Sequence, residues 1–242
     1  MNFIDKISLL TGFGLIDLEK YQPLLGPHLM RLFQKLEINV VLDVGANDGG
    51  FARTLRRYGY KGHILSFEPL SEVFQNLKKA AFKDQCWHVF NIALGAEPEE
   101  RELHVMGSSD FSSFLNPNGY AKSKWQNGVE CVKTERVKVE RLDHIIDNLL
   151  PLKMKDSRIF LKMDTQGYDL NVFYGALGVL DSLLGIQAEL PFKAIYAGVP
   201  SYVEILSVFE KHGFKPTGFF PVSKDKEGLF IVEADCVFIK IN

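Results

Sequence analysis

Short apolar runs rich in β-branched and aromatic residues alternate with stretches of helical periodicity along most of the chain. Such runs predict buried strands, and the stretches between them predict helices. Strands are predicted at residues 38–44, 62–67, 87–94, 158–164 and 184–190, and helices at 51–58, 71–81, 170–180 and 202–212. Ser71 is the predicted N-cap of the second of these helices, and Gly213 the C-cap of the last. The alternation predicts a doubly wound α/β fold with a mostly parallel sheet and right-handed crossovers.

Three segments depart from this alternation. The last two extended stretches, 214–221 and 234–241, are joined by a polar turn and predict an antiparallel pair. Residues 103–141 lack a helical period and predict a long ordered loop with short strands, a kind of segment that is usually functional in a compact α/β domain. Residues 16–36 have apolar side chains at helical spacing, broken by Pro23 and Pro27, and predict one or two short helices. We therefore predict an N-terminal helical extension over 1–37 and one α/β domain over 38–242.

Composition narrows the classes of protein to consider. The 242 residues are 46% hydrophobic and 24% charged, which is ordinary for a globular protein. A net charge of −2 gives no overall field that would favour nucleic acid or an anionic membrane, and no apolar run approaches a membrane span. Cys86, Cys131 and Cys236 lie far apart without a C-x-x-C pair, which argues against a disulfide framework and a structural zinc. We expect a cytoplasmic protein.

The first predicted strand ends in a glycine-rich turn, residues 43–50. A dinucleotide fingerprint G-x-G-x-x-G would need glycine where Asn47 stands, and its absence hinders close approach of a pyrophosphate. The observed spacing suits a ligand with an adenosine and a zwitterionic amino acid tail. Free N–H groups of the next helix would bind the carboxylate of that tail, and Asp43 would accept a hydrogen bond from its amino group, directly or through water. The candidate contacts in this turn are Asp43, Gly45, Ala46, Asn47 and Gly49.

A second acidic position follows the second predicted strand. Glu68 precedes Pro69, and a carboxylate there can accept hydrogen bonds from two ribose hydroxyls. Enzymes that use NAD place an acidic residue in the same way, so Glu68 indicates adenosine without distinguishing the cofactor. The spacing of the glycines carries that distinction.

These motifs, with those that follow, resemble the FkbM family of methyltransferases. The resemblance covers residues 40–238 and rests on Val-Leu-Asp43-Val-Gly-Ala-Asn-Asp-Gly, Ser-Phe-Glu68-Pro, Asn91-Ile-Ala-Leu-Gly, Arg141-Leu-Asp-His-Ile-Ile and Leu161-Lys-Met-Asp-Thr-Gln-Gly-Tyr-Asp-Leu. It implies a class I methyltransferase fold, with a seven-stranded sheet whose last strand is antiparallel, so that 38–242 is the methyltransferase domain. It also implies S-adenosylmethionine as cofactor. The acceptor would usually be a hydroxyl on a sugar, a glycolipid or another natural product.

Two carboxylates are the candidate catalytic residues. A hydroxyl must lose its proton as it is methylated, so a base should stand where the methyl group is transferred. Asp164 ends the fourth predicted strand, beside the switch point where open α/β sheets bind ligands. Glu189 ends the fifth and is hard to explain by packing. A helix N-cap is the alternative for Asp164, and a metal shared by both carboxylates is a further possibility that we do not adopt.

The remaining candidates surround this pair. Gln166 follows Asp164 and is grouped with the cofactor contacts, as are Asn91 and Ala93, which lie where class I enzymes place adenine. The expected substrate contacts are Ser109, Ser112, Ser113 and Tyr196; the serines could instead belong to a surface loop.

Two other functions compete with methyl transfer. One is an NAD(P)-binding oxidoreductase, which Asn47 disfavours, and the other is a non-catalytic scaffold of the same fold. We expect a small-molecule or glycan acceptor and no nucleic acid partner. The oligomeric state is left open.

Overall fold

The computed structural model describes residues 24–241, which form two β-sheets. Their strands are β1 (Val40–Val44), β2 (His63–Phe67), β3 (Trp87–Phe90), β4 (Ala93–Leu94), β5 (Glu99–Met106), β6 (Cys131–Glu140), β7 (Ile159–Met163), β8 (Leu183–Pro191), β9 (Phe214–Lys224) and β10 (Ile231–Lys240). The larger sheet has seven strands in the order β3-β2-β1-β7-β8-β10-β9. Its first five strands are parallel, and β10 runs antiparallel to both of its neighbours. This arrangement confirms the predicted fold class.

Seven α-helices lie along the described residues. They are α1 (Leu25–Lys35), α2 (Gly50–Arg57), α3 (Ser71–Ala81), α4 (Gly119–Trp125), α5 (Leu142–Leu149), α6 (Asp169–Tyr174) and α7 (Tyr202–Lys211). Four of them (α2, α3, α6 and α7) directly follow parallel strands of the larger sheet. The predicted break at Pro27 is wrong, because this proline lies in the first turn of α1, where its missing N–H costs no hydrogen bond. The part of the predicted helical extension before Leu24 lies outside the described residues.

The core lies on both faces of the larger sheet. All residues of β1 and β7 are buried, which matches their continuous apolar runs. Val41 and Phe160 pack on one face with Leu29 and Phe33 of α1. The opposite face packs against α5, α6 and α7. The carboxyl ends of β1, β2, β7 and β8 therefore meet at one edge, beside the first half of β10.

The loop predicted between 103 and 141 is mostly regular structure. The strands β5 and β6 form a long antiparallel pair, α4 lies between them, and the short β4 pairs with β6 in a separate three-stranded sheet. Most side chains of this pair are exposed, and only a few apolar ones, such as Leu103 and Val139, pack under Leu70. Because so little apolar surface is buried, the sequence shows only a weak strand pattern here.

Three further predictions are wrong in detail. Leu70, not Ser71, is the N-cap of α3, and the N–H and hydroxyl of Ser71 donate to the carboxylate of Glu135 at 2.9 and 2.6 Å. The predicted strand 87–94 divides between the two sheets. The helix predicted at 170–180 ends at Tyr174, after which Leu177–Val179 forms a 3-10 turn. The capping box of α7, by contrast, joins Ser201 and Glu204 as such sequences usually do.

Candidate active site

A cavity of about 530 Å³ opens at the carboxyl edge of the parallel strands. Eleven of the residues predicted for the site line it: Gly45, Ala46, Asn47, Glu68, Pro69, Ala93, Ser109, Ser112, Asp164, Gln166 and Glu189. The other five, Asp43, Gly49, Asn91, Ser113 and Tyr196, are not in its lining. The structure thus brings the two predicted catalytic carboxylates and most of the predicted cofactor contacts to one place.

The glycine turn requires Gly45. Its φ of +73° lies in the left-handed region, and a Cβ there would stand 1.9 Å from the carbonyl oxygen of Asp164. The end of β1 and the end of β7 can therefore approach only with glycine at this position. Asn47 also adopts a left-handed φ, +46°, which asparagine tolerates better than most residues. At the start of α2, the N–H of Gly50 is already bound by the carboxylate of Asp48.

Glu68 holds the turn from the neighbouring strand. One carboxylate oxygen accepts from the backbone N–H of Asn47 and the other from that of Leu70, each at 2.9 Å. Burial raises the pKa of Glu68 to about 7, although these two N–H groups pull it down. The amide nitrogen of Asn91 donates to the carbonyl oxygens of Glu68 and Pro69, so Asn91 shapes this segment from behind.

Asp43 lies below the cavity. Its side chain is fully buried, with one oxygen 3.1 Å from the ammonium of Lys162 and the other accepting from the hydroxyl of Ser66. The indole of Trp87 in turn donates to Ser66. Asp43 is therefore bound by side chains of the sheet, and it does not face the cavity as the predicted contact with an amino group requires.

Lys162 is a site residue that sequence reasoning missed. Its ammonium donates to the carbonyl of Gly45 at 3.1 Å and lies 3.4 Å from the carboxylate of Asp164. Burial alone would lower the pKa of Lys162, but Asp43 and Asp164 outweigh it and raise the pKa. A charged lysine thus joins the end of β1 to Asp164. Its signal in the sequence is a lysine within the otherwise apolar run of β7.

Gln166 connects the two predicted catalytic residues. Its amide nitrogen lies 3.0 Å from an oxygen of Asp164 and 3.4 Å from one of Glu189, and its amide oxygen accepts from the hydroxyl of Tyr196 at 2.8 Å. The hydroxyl of Ser113 donates to the backbone carbonyl of Gln166. Ser113 and Tyr196 therefore hold Gln166 in place and contact the site through it.

Glu189 lies in a crowded acidic environment. Burial raises its pKa well above the usual range, and the negative charge of Asp164 raises it further. Asp169, which is also buried, accepts from the backbone N–H of Glu189 and from Thr165. Asp169 was not predicted; it ties the loop after β7 to the end of β8.

Two acidic residues of β10 also line the cavity and were missed. Asp235 pairs with Glu189 in the antiparallel register, and Glu233 lies two residues before it. Burial raises the pKa of Glu233 to about 7 and that of Asp235 to about 6, with Asp164 contributing in both cases. The available signal was a pair of acidic residues at alternate positions in an otherwise apolar strand.

The serine-rich segment after β5 reaches the glycine turn. Ser109 donates to the side chain of Asn47, whose amide nitrogen donates to Asp110 at 2.7 Å. The hydroxyl of Ser112 accepts a hydrogen bond from the backbone N–H of Met106, and Ser112 also lines the cavity. This segment therefore covers the turn on the side away from the sheet.

The family model of the methyltransferase FkbM domain matches residues 43–216. The chain belongs to the FkbM methyltransferase family. Its cofactor is accordingly S-adenosylmethionine, and the oxidoreductase interpretation of the glycine turn is set aside. No curated protein sequence matches the chain.

Solved structures of three methyltransferases are similar to the chain at low sequence identity. An rRNA methylase from Streptococcus thermophilus is 8% identical with a TM-score of 0.46, covering 90% of this chain and 97% of its own. An S-adenosylmethionine-dependent methyltransferase described as putative, from Listeria monocytogenes, is 9% identical with a TM-score of 0.48, covering 87% and 98%. The 1,6-didemethyltoxoflavin-N1-methyltransferase of Burkholderia thailandensis is 10% identical with a TM-score of 0.44, covering 89% and 77%.

Residues 24–241 contain neither a cluster of metal-ligating side chains nor a membrane-spanning helix. No group of three or more His, Cys, Asp or Glu side chains there is arranged to hold a metal ion. In the same part of the chain, no helix is both long and apolar enough to cross a bilayer.

Proposed function

We propose that this methyltransferase transfers a methyl group to a hydroxyl oxygen of a sugar, glycolipid or other natural product. The observation that carries the proposal is the carboxylate pair, Asp164 and Glu189, joined by Gln166 next to Gly45. A neutral amine needs little more than orientation to be methylated, whereas a hydroxyl benefits from a base beside it.

The residues of the cavity fit the cofactor that the family uses. Gly45 lets the backbone come close, and the carboxylate of Glu68 has lone pairs left for ribose hydroxyls after accepting two N–H groups. Ala46, Asn47, Pro69 and Ala93 complete the lining of this half. When bound there, S-adenosylmethionine supplies an activated methyl group on a sulfonium.

Asp164 and Glu189 have different roles toward the acceptor. The side chain of Asp164 is 40% exposed, and it takes the proton from the acceptor hydroxyl as the new carbon–oxygen bond forms. Burial and the charge of Asp164 raise the pKa of Glu189, which favours its protonated form, and a protonated Glu189 donates a hydrogen bond to the acceptor. Lys162 and Gln166 hold Asp164 in position. Alignment of the reacting atoms lowers the activation barrier, so this positioning contributes to the rate of transfer.

The surroundings support a small-molecule or glycan acceptor over nucleic acid. Among the charged side chains of the cavity lining, acidic ones outnumber the single lysine and would repel phosphates, while Phe111 and Trp125 offer aromatic faces for a sugar ring. We further propose a cytoplasmic location, which the three free cysteines favour.

The first test is calorimetric titration with S-adenosylmethionine, S-adenosylhomocysteine and NADH, repeated with Glu68→Ala. Binding of the first two in the micromolar range, lost in the variant, supports the cofactor site. Methyl transfer from labelled S-adenosylmethionine to a panel of hydroxyl compounds, abolished in Asp164→Asn, supports the reaction. Cofactor binding without transfer to any acceptor would favour the non-catalytic scaffold.

A further inference from the structure

The cavity is far more acidic than binding of the cofactor requires. Within the described residues, seven carboxylates line it against one ammonium, that of Lys162; the seven are Asp48, Glu68, Asp110, Asp164, Glu189, Glu233 and Asp235. Asp48 is paired with Arg53, Glu68 holds the glycine turn, and Lys162 is already shared between Asp43 and Asp164. None of the roles described so far accounts for the charges of Glu233 and Asp235.

These two residues lie in the half of the cavity away from the glycine turn. In the order of strands, β10 is three positions from β1, or roughly 14 Å at the usual strand spacing. Glu233 and Asp235 alternate along β10 and pair with the strand that carries Gln187 and Glu189, so the four side chains share one face of the sheet. They therefore face an acceptor next to the carboxylate pair.

Gln187 provides an independent sign that a ligand is bound here. Its side chain is 2% exposed, lines the cavity and hydrogen-bonds to Asp235, yet its amide oxygen has no hydrogen-bond partner among the described residues. A buried acceptor left without a donor destabilises the folded protein. A ligand that brings an N–H or O–H donor to this point would remove that destabilisation.

The protein itself offers limited positive charge to the two acids of β10, because Lys162, which acts on Asp235, is shared with Asp43 and Asp164. Glu233 accepts a hydrogen bond from the neutral hydroxyl of Ser223 at 3.0 Å. Lys124 contributes some positive potential, but its ammonium donates to the backbone carbonyl of Lys224. Burial and Asp164 raise the pKa values of both Glu233 and Asp235, so a bound cation would be the natural way to keep them ionised.

We propose that the acceptor carries a protonated amine, which binds to Glu233, Asp235 and the amide oxygen of Gln187 while a neighbouring hydroxyl is methylated. An ammonium has three N–H donors and no acceptor, which matches three oxygen acceptors. An amino sugar or a similar amino alcohol has both groups, and Phe111 and Trp125 could contact its apolar face. The inference rests on the proposed function, since it concerns the acceptor of the same site.

The charge also explains why oxygen and not nitrogen is methylated. The nitrogen of an ammonium has no free lone pair, and carboxylates on both sides keep it protonated. In the transfer the hydroxyl oxygen bonds to the methyl carbon, the carbon–sulfur bond breaks, and the hydroxyl proton passes to Asp164. The ammonium is unchanged throughout.

The test compares probes that differ only in the amine. Protein saturated with S-adenosylhomocysteine is titrated at pH 7 with glucosamine and with glucose, and binding is followed by NMR. The titrations are repeated with Glu233→Gln/Asp235→Asn and with Glu227→Gln, a control on the exposed turn between the same two strands. We expect glucosamine to bind about tenfold more tightly than glucose, and the acidic double variant to lose that difference while the control retains it.

Each other outcome overturns the inference or the function beneath it. Equal binding of the two sugars, no binding of glucosamine, or a preference that persists in the double variant would refute the amine site. If the double variant binds S-adenosylmethionine more weakly than the wild type but binds S-adenosylhomocysteine equally well, the two acids bind the sulfonium instead. If the wild-type protein binds neither of these compounds, the proposed function itself fails.

Discussion

The ammonium of Lys162 lies 3.1 Å from a carboxylate oxygen of Asp43, and both side chains are buried in the middle of the sheet. The same ammonium reaches Gly45 and Asp164, so this ion pair connects the structural centre of the sheet with the edge where chemistry is expected. Removing one member of a buried pair leaves the other charge without compensation. The resulting loss in stability is much larger than the net stabilisation that the intact pair provides.

We therefore predict that Lys162→Met lowers the free energy of unfolding by about 3–5 kcal/mol. The double variant Lys162→Met/Asp43→Asn should recover part of this loss, because the fully buried side chain of Asp43 then carries no uncompensated charge, whereas Asp164 is partly exposed to water. Urea denaturation measures both values. Lys122→Met, at an exposed position of α4, is the control and should change stability little. A loss in Lys162→Met no greater than in the control would show that the ion pair contributes little to stability.

A second prediction concerns the glycine turn. Gly45→Ala places a Cβ 1.9 Å from the carbonyl of Asp164 at a φ of +73°, so it should abolish binding of S-adenosylmethionine as well as destabilise the fold. Gly59→Ala is a matched control, since Gly59 also has a positive φ, +92°, but nothing lies within 4 Å of the added Cβ. The control should cost about 1–2 kcal/mol of strain and leave binding intact. Calorimetry and urea denaturation on both variants separate steric contact from backbone strain; retained binding in Gly45→Ala would contradict our account of the turn.

Much of this site could be predicted from sequence because its signals are local. Gly45, Glu68 and Asp164 each end a buried strand, and parallel strands bring their carboxyl ends to one edge without further information. The runs of β1 and β7 are apolar except for Asp43 and Lys162, so their boundaries are predicted to within a few residues.

What could not be predicted depends on pairing between distant segments. Glu233 and Asp235 reach the cavity only through the antiparallel register of β10 with β8, more than 40 residues earlier in the chain. The contact of Ser71 with Glu135 likewise depends on the second sheet, whose exposed strands have almost no apolar pattern. Lys162 was visible as a residue, but its partner Asp43 is more than 100 positions away.

A third prediction tests the link between Tyr196 and Gln166. Tyr196→Phe removes the hydroxyl that donates to the amide oxygen of Gln166 and leaves that oxygen without this donor. We expect a loss of about 1 kcal/mol in the free energy of unfolding, and weaker methyl transfer with cofactor binding unchanged. Tyr58→Phe, at an exposed position, is the control for both measurements. Unchanged stability and activity in Tyr196→Phe would mean that Gln166 needs no support from this side.

The last prediction concerns pH. The pKa of Glu68 is raised by burial to about 7, above its value in the unfolded chain, so the unfolded state ionises first as pH rises. The contribution of Glu68 to stability is then fully present below about pH 4.5 and is lost as pH rises through 7. His28 and His63 have lowered pKa values and act in the opposite direction, so the useful quantity is the difference between variants.

Glu68→Gln should lose less stability than the wild type between pH 5 and 8, as measured by urea denaturation at intervals of about one pH unit. Glu72→Gln, at an exposed position of α3, should follow the wild type. Parallel curves for Glu68→Gln and the wild type would show that Glu68 ionises at an ordinary pKa and that its burial is compensated by the N–H groups of Asn47 and Leu70.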